Sequence, residues 1–335
     1  MARAAGVSSQ TVSRVFTSPD LVAPPTRSRV LTFVAQLGYI PNEAARRLKS
    51  TGQTEGPGGG VIGVLAHQLR ATGPANITTS AMRELQHSGF ALDVAYLDDD
   101  NADTITSVMR RFSASTAGVL AMAQTADARR AVLSVELPVP VYIDEGLDRG
   151  TADHPGTEER IGTAAAEYLH SRGHRSVLHL PGPPGSLAAT YRLQAFTDAS
   201  AERGMSVRYT SAGDWSEQSG AAAMEHMALG DATALFAAND AMAIGALDAL
   251  ARRGIRVPAD MAVLGADDIP AAAFVTPSLT SVAHNLEEQG RHAAWTLLRA
   301  LGRDSEQPVD PTFGVSVRAR ESTTCFRDSG APRTT

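Results

Sequence analysis

Residues 233–252 read TALFAANDAMAIGALDALAR, a short apolar run followed by a longer amphipathic segment. The run at 233–237 is typical of a buried strand, and the segment at 239–252 is typical of a helix. Strands that alternate with helices in this way form parallel sheets joined by right-handed crossovers. Further strands are predicted at 61–66, 92–97, 117–122, 139–143, 176–180, 207–210, 261–265 and 280–283, and further helices at 157–171, 187–203 and 286–301. Roughly 270 residues of this pattern exceed one open sheet and predict an α/β body of two lobes.

The composition indicates a globular protein. The chain has 335 residues, of which 43% are hydrophobic, enough to form cores in two or three compact units. No run approaches the ~18 apolar residues of a membrane span, and the N-terminus lacks a signal-peptide pattern. Cys325 is the single cysteine, so no internal disulfide can form. We therefore expect a cytoplasmic protein with no membrane partner.

Charge is distributed unevenly along the chain. Residues 1–50 carry seven Lys or Arg against two acidic residues, whereas the remainder carries 23 basic against 34 acidic residues. A basic head on an acidic body is typical of a nucleic-acid-binding unit fused to a larger domain. The alternative is a basic pair of helices that is merely solvated. Between head and body, residues 50–60 read STGQTEGPGGG, which predicts a flexible linker.

The head contains the stretch GVSSQTVSRVF at residues 6–16, followed by a second amphipathic segment, TRSRVLTFVAQLGY. This pattern predicts a helix, a turn at Gly6, a short helix capped by Ser8, a loop and a longer helix. A small core would form from Val7, Val12, Val15, Val30, Val34 and Leu37. The outward face would carry Ser9, Gln10, Ser13 and Arg14. Gln10 and Arg14 lie one helical turn apart and could both reach base edges in the major groove, although an ordinary exposed helix face is the alternative.

Several short patterns in the sequence could indicate an enzyme, but the residues around each of them argue against that interpretation. The glycines at 58–63 satisfy G-x-G-x-x-G but precede a strand, whereas a dinucleotide fingerprint follows one. The acidic run at 97–104 lacks the glycine and the glutamate of a calcium loop, so it predicts a capped turn between strand and helix. His170 and His174 are separated by Gly173, which ends their helix, and no nucleophile elbow is present. We therefore predict no catalytic residues, no metal site and no cofactor.

Several stretches resemble the LacI family (lactose and galactose repressors) of transcriptional regulators. In the head these are AGVSSQTVSRVF and TRSRVLTFVAQLGYIPNEAARRL, and in the body they are LHSRGHRSVLHLPGPPGSLAATYRLQAF, ALFAANDAMAIGALDAL, MAVLGADDIP and PSLTSV. The resemblance covers nearly the whole chain. Trp215 in GDWSEQSG, together with Pro74 and Ile77, is most similar to the lactose-repressor branch of that family.

The resemblance implies an organisation and a set of site residues. A helix-turn-helix head spans 1–41, a hinge helix 42–49, the linker 50–60, a two-lobed body similar to periplasmic binding proteins 61–325, and a disordered tail 326–335. DNA-binding residues implied by the family are Ser9, Gln10, Ser13, Arg14, Asn42, Ala45 and Leu48, the last wedged into the minor groove. Effector-binding residues implied in the same way are Ile77, Asp144, Arg192, Trp215, Asn239 and Asp267.

The function implied by the resemblance is a homodimeric, nucleoid-associated repressor of carbohydrate genes. It would bind a pseudo-palindromic double-stranded operator and leave it when a sugar, a β-galactoside on the basis of Trp215, binds the body. Two alternatives stay open: a sugar-binding module with a vestigial head, and a carbohydrate enzyme. Turnover of a bound sugar would indicate the enzyme.

The chain departs from the family pattern in three places. The first helix is shorter by about a turn, so either translation starts upstream of Met1 or the head is marginally stable. The linker is longer and richer in glycine. The tail after Cys325 contains no leucine for a tetramerising heptad, so we expect no assembly larger than a dimer.

Overall fold

The structure is a computed structural model that describes residues 5–8, 11, 14–15, 21–36, 60–144, 155–303 and 313–324. The chain divides into two compact units, Met1–Gly56 and Pro57–Thr335. Within the described residues, no helix is both long and apolar enough to cross a membrane.

The first unit contains helix α1, Pro24–Gln36. Ahead of it, the backbone N–H of Thr11 donates to Ser8 Oγ at 3.0 Å, which confirms the predicted cap. Val15 and Val30 are buried, as the predicted core requires. Arg14 is helical, and its side chain is exposed. The described part of the head therefore buries part of the predicted core and exposes Arg14 to solvent.

The first lobe of the larger unit is built on a parallel sheet of four strands in the order β2-β1-β3-β4. Its strands are β1 Val61–His67, β2 Ala91–Leu97, β3 Gly118–Met122 and β4 Val141–Ile143. Its helices are α2 Thr72–His87, α3 Ala102–Ser115, α4 Ala126–Leu133 and, from much later in the chain, α9 Leu286–Ala300. Helix α9 packs on α2 and completes the apolar core of this lobe through Leu297 and Leu298.

The second lobe is built on a sheet of six strands in the order β10-β9-β8-β7-β5-β6. Its strands are β5 Ser176–Leu180, β6 Ser206–Tyr209, β7 Ala234–Ala237, β8 Ala262–Ala266, β9 Thr280–Ala283 and β10 Ser316–Arg318. Its helices are α5 Thr157–Ser171, α6 Leu187–Glu202, α7 Glu217–Glu225 and α8 Asp240–Arg252. All pairs are parallel except β9 with β10. The chain thus leaves the first lobe after β4 and returns to it at α9.

The predicted strands are all present, and most begin and end within a residue or two of the prediction. Strand β4 begins at 141 rather than at 139, and helix α8 begins at Asp240 because Asn239 is its N-cap rather than its first residue. Strand β10 was not predicted, because three residues with exposed ends carry too short a pattern. The acidic run after β2 is a capped turn, in which Asn101 accepts from the Thr104 N–H at 2.9 Å.

Candidate functional site

A cleft lies between the two lobes of the larger unit. The empty space in it, counted out to the open mouth, is about 560 Å³. All six residues predicted to bind an effector line it: Ile77, Asp144, Arg192, Trp215, Asn239 and Asp267. Polar side chains that the sequence did not single out also line it: Gln68, Gln124, Glu158, Ser186, His284 and Gln289.

The parallel sheets explain why residues so far apart in sequence meet here. Asp144 directly follows β4, Asp267 directly follows β8, and Asn239 follows β7 by two residues. The carboxyl ends of parallel strands form one edge of each sheet, and the crevice outside that edge is the usual ligand site of open α/β sheets. Both lobes turn this edge toward the cleft.

Trp215 is held in place by contacts on two sides. Its backbone is left-handed, with φ of 74°, and its carbonyl accepts from Asn239 Nδ2 at 3.1 Å. The indole ring lies so close to Gly182 that a Cβ there would be 2.3 Å from Trp215 Cη2. Gly182 therefore makes room for the ring, which presents an apolar surface beside Arg192, whose guanidinium carbon lies 5.9 Å from the ring centroid.

The side chain of Asn239 makes two hydrogen bonds within the protein. Its Oδ1 accepts from the Met242 N–H at 2.9 Å as the N-cap of α8, and its Nδ2 reaches Trp215. A helix cap and a ligand contact are both compatible with an asparagine at this point of the sequence, and the structure shows that the cap is made. An amide nitrogen carries two N–H groups, so Asn239 keeps the capacity for one more hydrogen bond as a donor where it lines the cleft.

Arg192 is the centre of a buried ion-pair cluster. Its Nε donates to the Glu158 carboxylate, its Nη1 donates to the carbonyl of Ala238, and its Nη2 lies 3.1 Å from Asp267 Oδ1. The Arg192 side chain is only 5% exposed. At Gly162 of α5, a Cβ would lie 2.4 Å from the Arg192 carbonyl, so the absence of a side chain lets α5 and α6 approach closely. Glu158 lies one turn before Gly162 and is brought to the guanidinium by that approach.

A chain of hydrogen bonds extends from this ion pair to the first lobe. Gln289 Nε2, on α9, donates to His284 Nδ1 at 2.8 Å, and His284 Nε2 lies 3.2 Å from Asp267 Oδ1. One neutral tautomer of His284, protonated at Nε2, satisfies both bonds. We refer to Arg192, Glu158, Asp267, His284 and Gln289 as the Arg192 cluster.

The carboxylate of Asp267 and the guanidinium of Arg192 stabilise each other's ionised forms. Burial alone would raise the pKa of Asp267, but the Arg192 guanidinium and the His284 hydrogen bond lower it below its ordinary value. Burial alone would lower the pKa of Arg192, and Glu158 and Asp267 more than offset it, so that pKa is raised. Asp267 and Arg192 are therefore both charged at neutral pH.

The turn that carries Asp267 is held by contacts with residues that do not line the cleft. Asp267 and Asp268 both have left-handed backbones, with φ of 100° and 51°. Asp240, fully buried, accepts from the Ile269 N–H at 2.9 Å and from Ser281 Oγ at 2.7 Å. Arg320 Nη2 pairs with Asp268 Oδ1 at 2.6 Å. Burial and then the nearby charge of Asp267 raise the pKa of Asp240 well above its ordinary value.

Comparison with known proteins identifies the family. The model described as bacterial regulatory proteins, lacI family, matches residues 1–42, and the model described as periplasmic binding protein-like domain matches residues 166–323. The HTH-type transcriptional regulator CelR of Thermobifida fusca is 30% identical over 347 residues, which cover 96% of each chain. The HTH-type transcriptional repressor PurR of Proteus mirabilis (strain HI4320) is 31% identical over 327 residues, covering 92% of each. The chain belongs to the LacI family of transcriptional regulators.

Solved structures of LacI-family proteins have the same fold. The Lac repressor dimer bound to operator and the anti-inducer ONPF matches with a TM-score of 0.70 and 26% identity, over 97% of this chain and 98% of that one. The complex of the transcriptional regulator CelR with cellobiose matches with a TM-score of 0.65 and 28% identity, over 96% and 98%. The predicted LacI membership, the helix-turn-helix head and the two-lobed parallel α/β body are confirmed. The relatives named here are regulators rather than enzymes.

The predicted DNA-binding residues are only partly within the described chain. Arg14 is described and exposed. Ser9, Gln10, Ser13, Asn42, Ala45 and Leu48 lie outside the described residues, as do the hinge helix at 42–49 and the tail at 326–335. In the described part of the chain, no group of three His, Cys, Asp or Glu could hold a metal ion.

Sequence reasoning missed Glu158, His284 and Gln289. Asp267 was predicted from the resemblance to the family, whereas His284 has a signal in its position, because it directly follows β9 at the edge where ligands of parallel sheets bind. Glu158 has no such signal, because it reaches the cleft from the first turn of α5 only through the packing of α5 on α6. Gln289 likewise depends on the return of α9 to the first lobe.

We expect Arg192→Ala to reduce the free energy of unfolding by about 3–5 kcal/mol, because Glu158 and Asp267 stay buried without their cation. Urea unfolding at pH 7 measures the change. Arg203→Ala is the matched control in the same lobe, since its pairs with Glu167 and Glu202 are exposed and should contribute about 0–1 kcal/mol. Equal losses for the two variants would show that the cluster does not support the cleft wall.

Proposed function

We propose that this LacI-family protein is a repressor that binds operator DNA as a homodimer and is released when a sugar occupies the cleft. The observation that carries the proposal is the Arg192 cluster lying beside the Trp215 ring in a cleft between two lobes. The similarity to the Lac repressor dimer on operator and to CelR with cellobiose supports it.

The chemistry of the lining suits a sugar. The carboxylates of Asp144 and Asp267 accept hydrogen bonds from hydroxyl groups, and the amides of Gln68 and Gln124 can donate as well as accept. The indole of Trp215 offers an apolar face to the C–H side of a pyranose ring. A sugar has both kinds of surface, so each part of the lining has a counterpart on the ligand.

A purine is the competing ligand, because relatives include repressors named PurR. A purine base has two flat faces and no hydroxyl groups. Among the described residues that line the cleft, Trp215 is the only Phe, Tyr or Trp, so one face of a base would lack an aromatic partner. The carboxylates of the lining also offer hydrogen-bond acceptors, and the hydroxyl groups of a sugar suit these acceptors better than a purine base does.

Within the sugars, we propose a β-galactoside or a close relative. Trp215 together with Asp144, Arg192, Asn239 and Asp267 resembles the arrangement of the lactose repressor, and all of them line the cleft. Cellobiose, the ligand of the CelR complex, is the nearest competitor. Glucose and galactose differ only at the C4 hydroxyl, and a site built from hydrogen-bonding groups can discriminate that difference strongly.

Release requires that the sugar prefer one conformation. A ligand shifts an equilibrium only by its difference in affinity between the two states, so the sugar must bind the operator-free form more tightly. The cleft lies between lobes that the chain joins after Asp144 and again between β9 and α9. Closing the lobes on a sugar would therefore change the position of the first lobe relative to the second. The first lobe directly follows the head and linker in sequence.

For the head, we propose that Ser9, Gln10, Ser13 and Arg14 read bases in the major groove. Asn42, Ala45 and Leu48 of the hinge would enter the minor groove. A dimer would place two such heads one turn of DNA apart and supply the affinity that a single small head lacks. The exposed position of Arg14 supports its part in this proposal.

We expect Arg14→Ala to weaken operator binding by about 1–3 kcal/mol and to relax the preference at one base position, because a bidentate base contact is lost. Fluorescence anisotropy with DNA from the promoter of its own gene, and a set of single-base variants, measures this. Arg29→Ala, exposed on α1, is the control and should leave base preference unchanged. Affinity should fall steeply with salt. Failure to bind any of these DNAs would favour a sugar-binding module with a vestigial head.

We expect lactose or methyl β-galactoside to bind the protein and release it from that DNA, whereas cellobiose and hypoxanthine should not. Isothermal titration calorimetry and gel shifts with each compound test this. Release by cellobiose alone would contradict the galactoside assignment and leave the response to sugar standing. Release or tighter DNA binding by hypoxanthine alone would contradict the sugar assignment itself.

A further inference from the structure

We propose that Glu158 makes the effector site selective for uncharged sugars and excludes phosphorylated and carboxylated ones. The proposal rests on the proposed function, namely that the cleft binds a sugar. It identifies a specificity-determining residue and narrows the class of effector.

Among the described residues that line the cleft, Arg192 carries the one guanidinium, and the protein itself neutralises it. Arg192 is paired with Asp267 through Nη2 and with Glu158 through Nε, and its Nη1 is bonded to the Ala238 carbonyl. Both carboxylates are buried: the side chain of Glu158 is 8% exposed and that of Asp267 is 5% exposed. One carboxylate would balance the charge of Arg192, so the second leaves the trio negative.

Nothing else among the described lining residues restores a positive charge. These lining residues include no lysine and no second arginine. His284 accepts from Gln289 Nε2 at Nδ1 and donates from Nε2 to Asp267, an arrangement that a ring with a single N–H satisfies. A phosphate or carboxylate on a sugar would therefore enter a site with a surplus of negative charge, where like charges repel.

Glu158 is not needed to cap its own helix. The neighbouring Glu159 accepts from the Gly156 N–H at 2.8 Å and provides the acidic cap of α5. Glu158 instead turns toward Arg192, at the cost of burying a carboxylate. The two adjacent glutamates thus separate the capping role from the role in the cleft, and Glu159 is a matched control.

The test compares neutral and anionic forms of the same sugars by calorimetry. The probes are galactose with galactose 6-phosphate and galacturonate, and glucose with glucose 6-phosphate and glucuronate. The wild-type protein should bind a neutral member at least about 100-fold more tightly than its anionic partners. Glu158→Gln keeps an acceptor for Arg192 Nε but removes the charge, and it should reduce that ratio by about 10-fold or more through a gain for the anionic sugar.

Two variants separate charge from shape and from folding. Glu158→Asp keeps the charge and should keep the rejection of anions, and Glu159→Gln should leave the ratio at the wild-type value. Circular dichroism shows whether each variant is folded. Rejection caused only by the size of the phosphate would be the same in Glu158→Gln as in the wild type, and that result would overturn the proposal.

The outcomes distinguish this inference from the proposed function. Binding of only a neutral glucoside contradicts the galactoside assignment and supports the role of Glu158. Binding of only a sugar phosphate or uronate supports a response to sugars and overturns the role of Glu158. If no sugar binds, inorganic phosphate decides: a thermal shift in Glu158→Gln that the wild type lacks supports the inference, and equal behaviour overturns it.

Discussion

The cleft depends on a positive charge that is buried in the second lobe. A guanidinium that is 5% exposed is costly to bury unless acceptors replace its hydration, and here two carboxylates and a backbone carbonyl do so. Each acceptor comes from a different element: Glu158 from α5, Asp267 from the end of β8 and Ala238 from the end of β7. Arg192 thereby fixes the edge of the second sheet where a ligand would be recognised.

The same cluster connects the two lobes. Asp267 accepts from His284, and His284 accepts from Gln289 on α9, a helix that belongs to the first lobe. A second connection closes the other side of the cleft, where the Leu187 N–H donates to the Gln124 carbonyl at 3.1 Å and the Ala126 N–H reaches the Gly185 carbonyl at 3.3 Å. A ligand that contacts Asp267 therefore acts on a residue whose hydrogen bonds already cross between the lobes. This gives binding a physical route to the relative position of the lobes.

The sequence was sufficient for the elements whose position follows from local pattern. Strands such as β7 and β8 are continuous apolar runs, and the residues after them, Asn239 and Asp267, lie at the cleft because parallel strands end at one edge. Glu158 could not be found in this way, since only the close approach of α5 and α6 at Gly162 brings it to Arg192. The dual use of Asn239, as a helix cap and as the partner of Trp215, also needed coordinates, because both roles are compatible with the same sequence.

The central claim is that the carboxylate of Asp267 couples the sugar to release from DNA. Asp267→Asn tests it most directly, because it keeps the size of the side chain and removes the charge that Arg192 and His284 contact. Gel shifts on the promoter DNA with increasing methyl β-galactoside should show operator affinity within about threefold of the wild type and no release where the wild type is fully released. Normal release by the folded variant, or loss of operator binding by it, would contradict the claim.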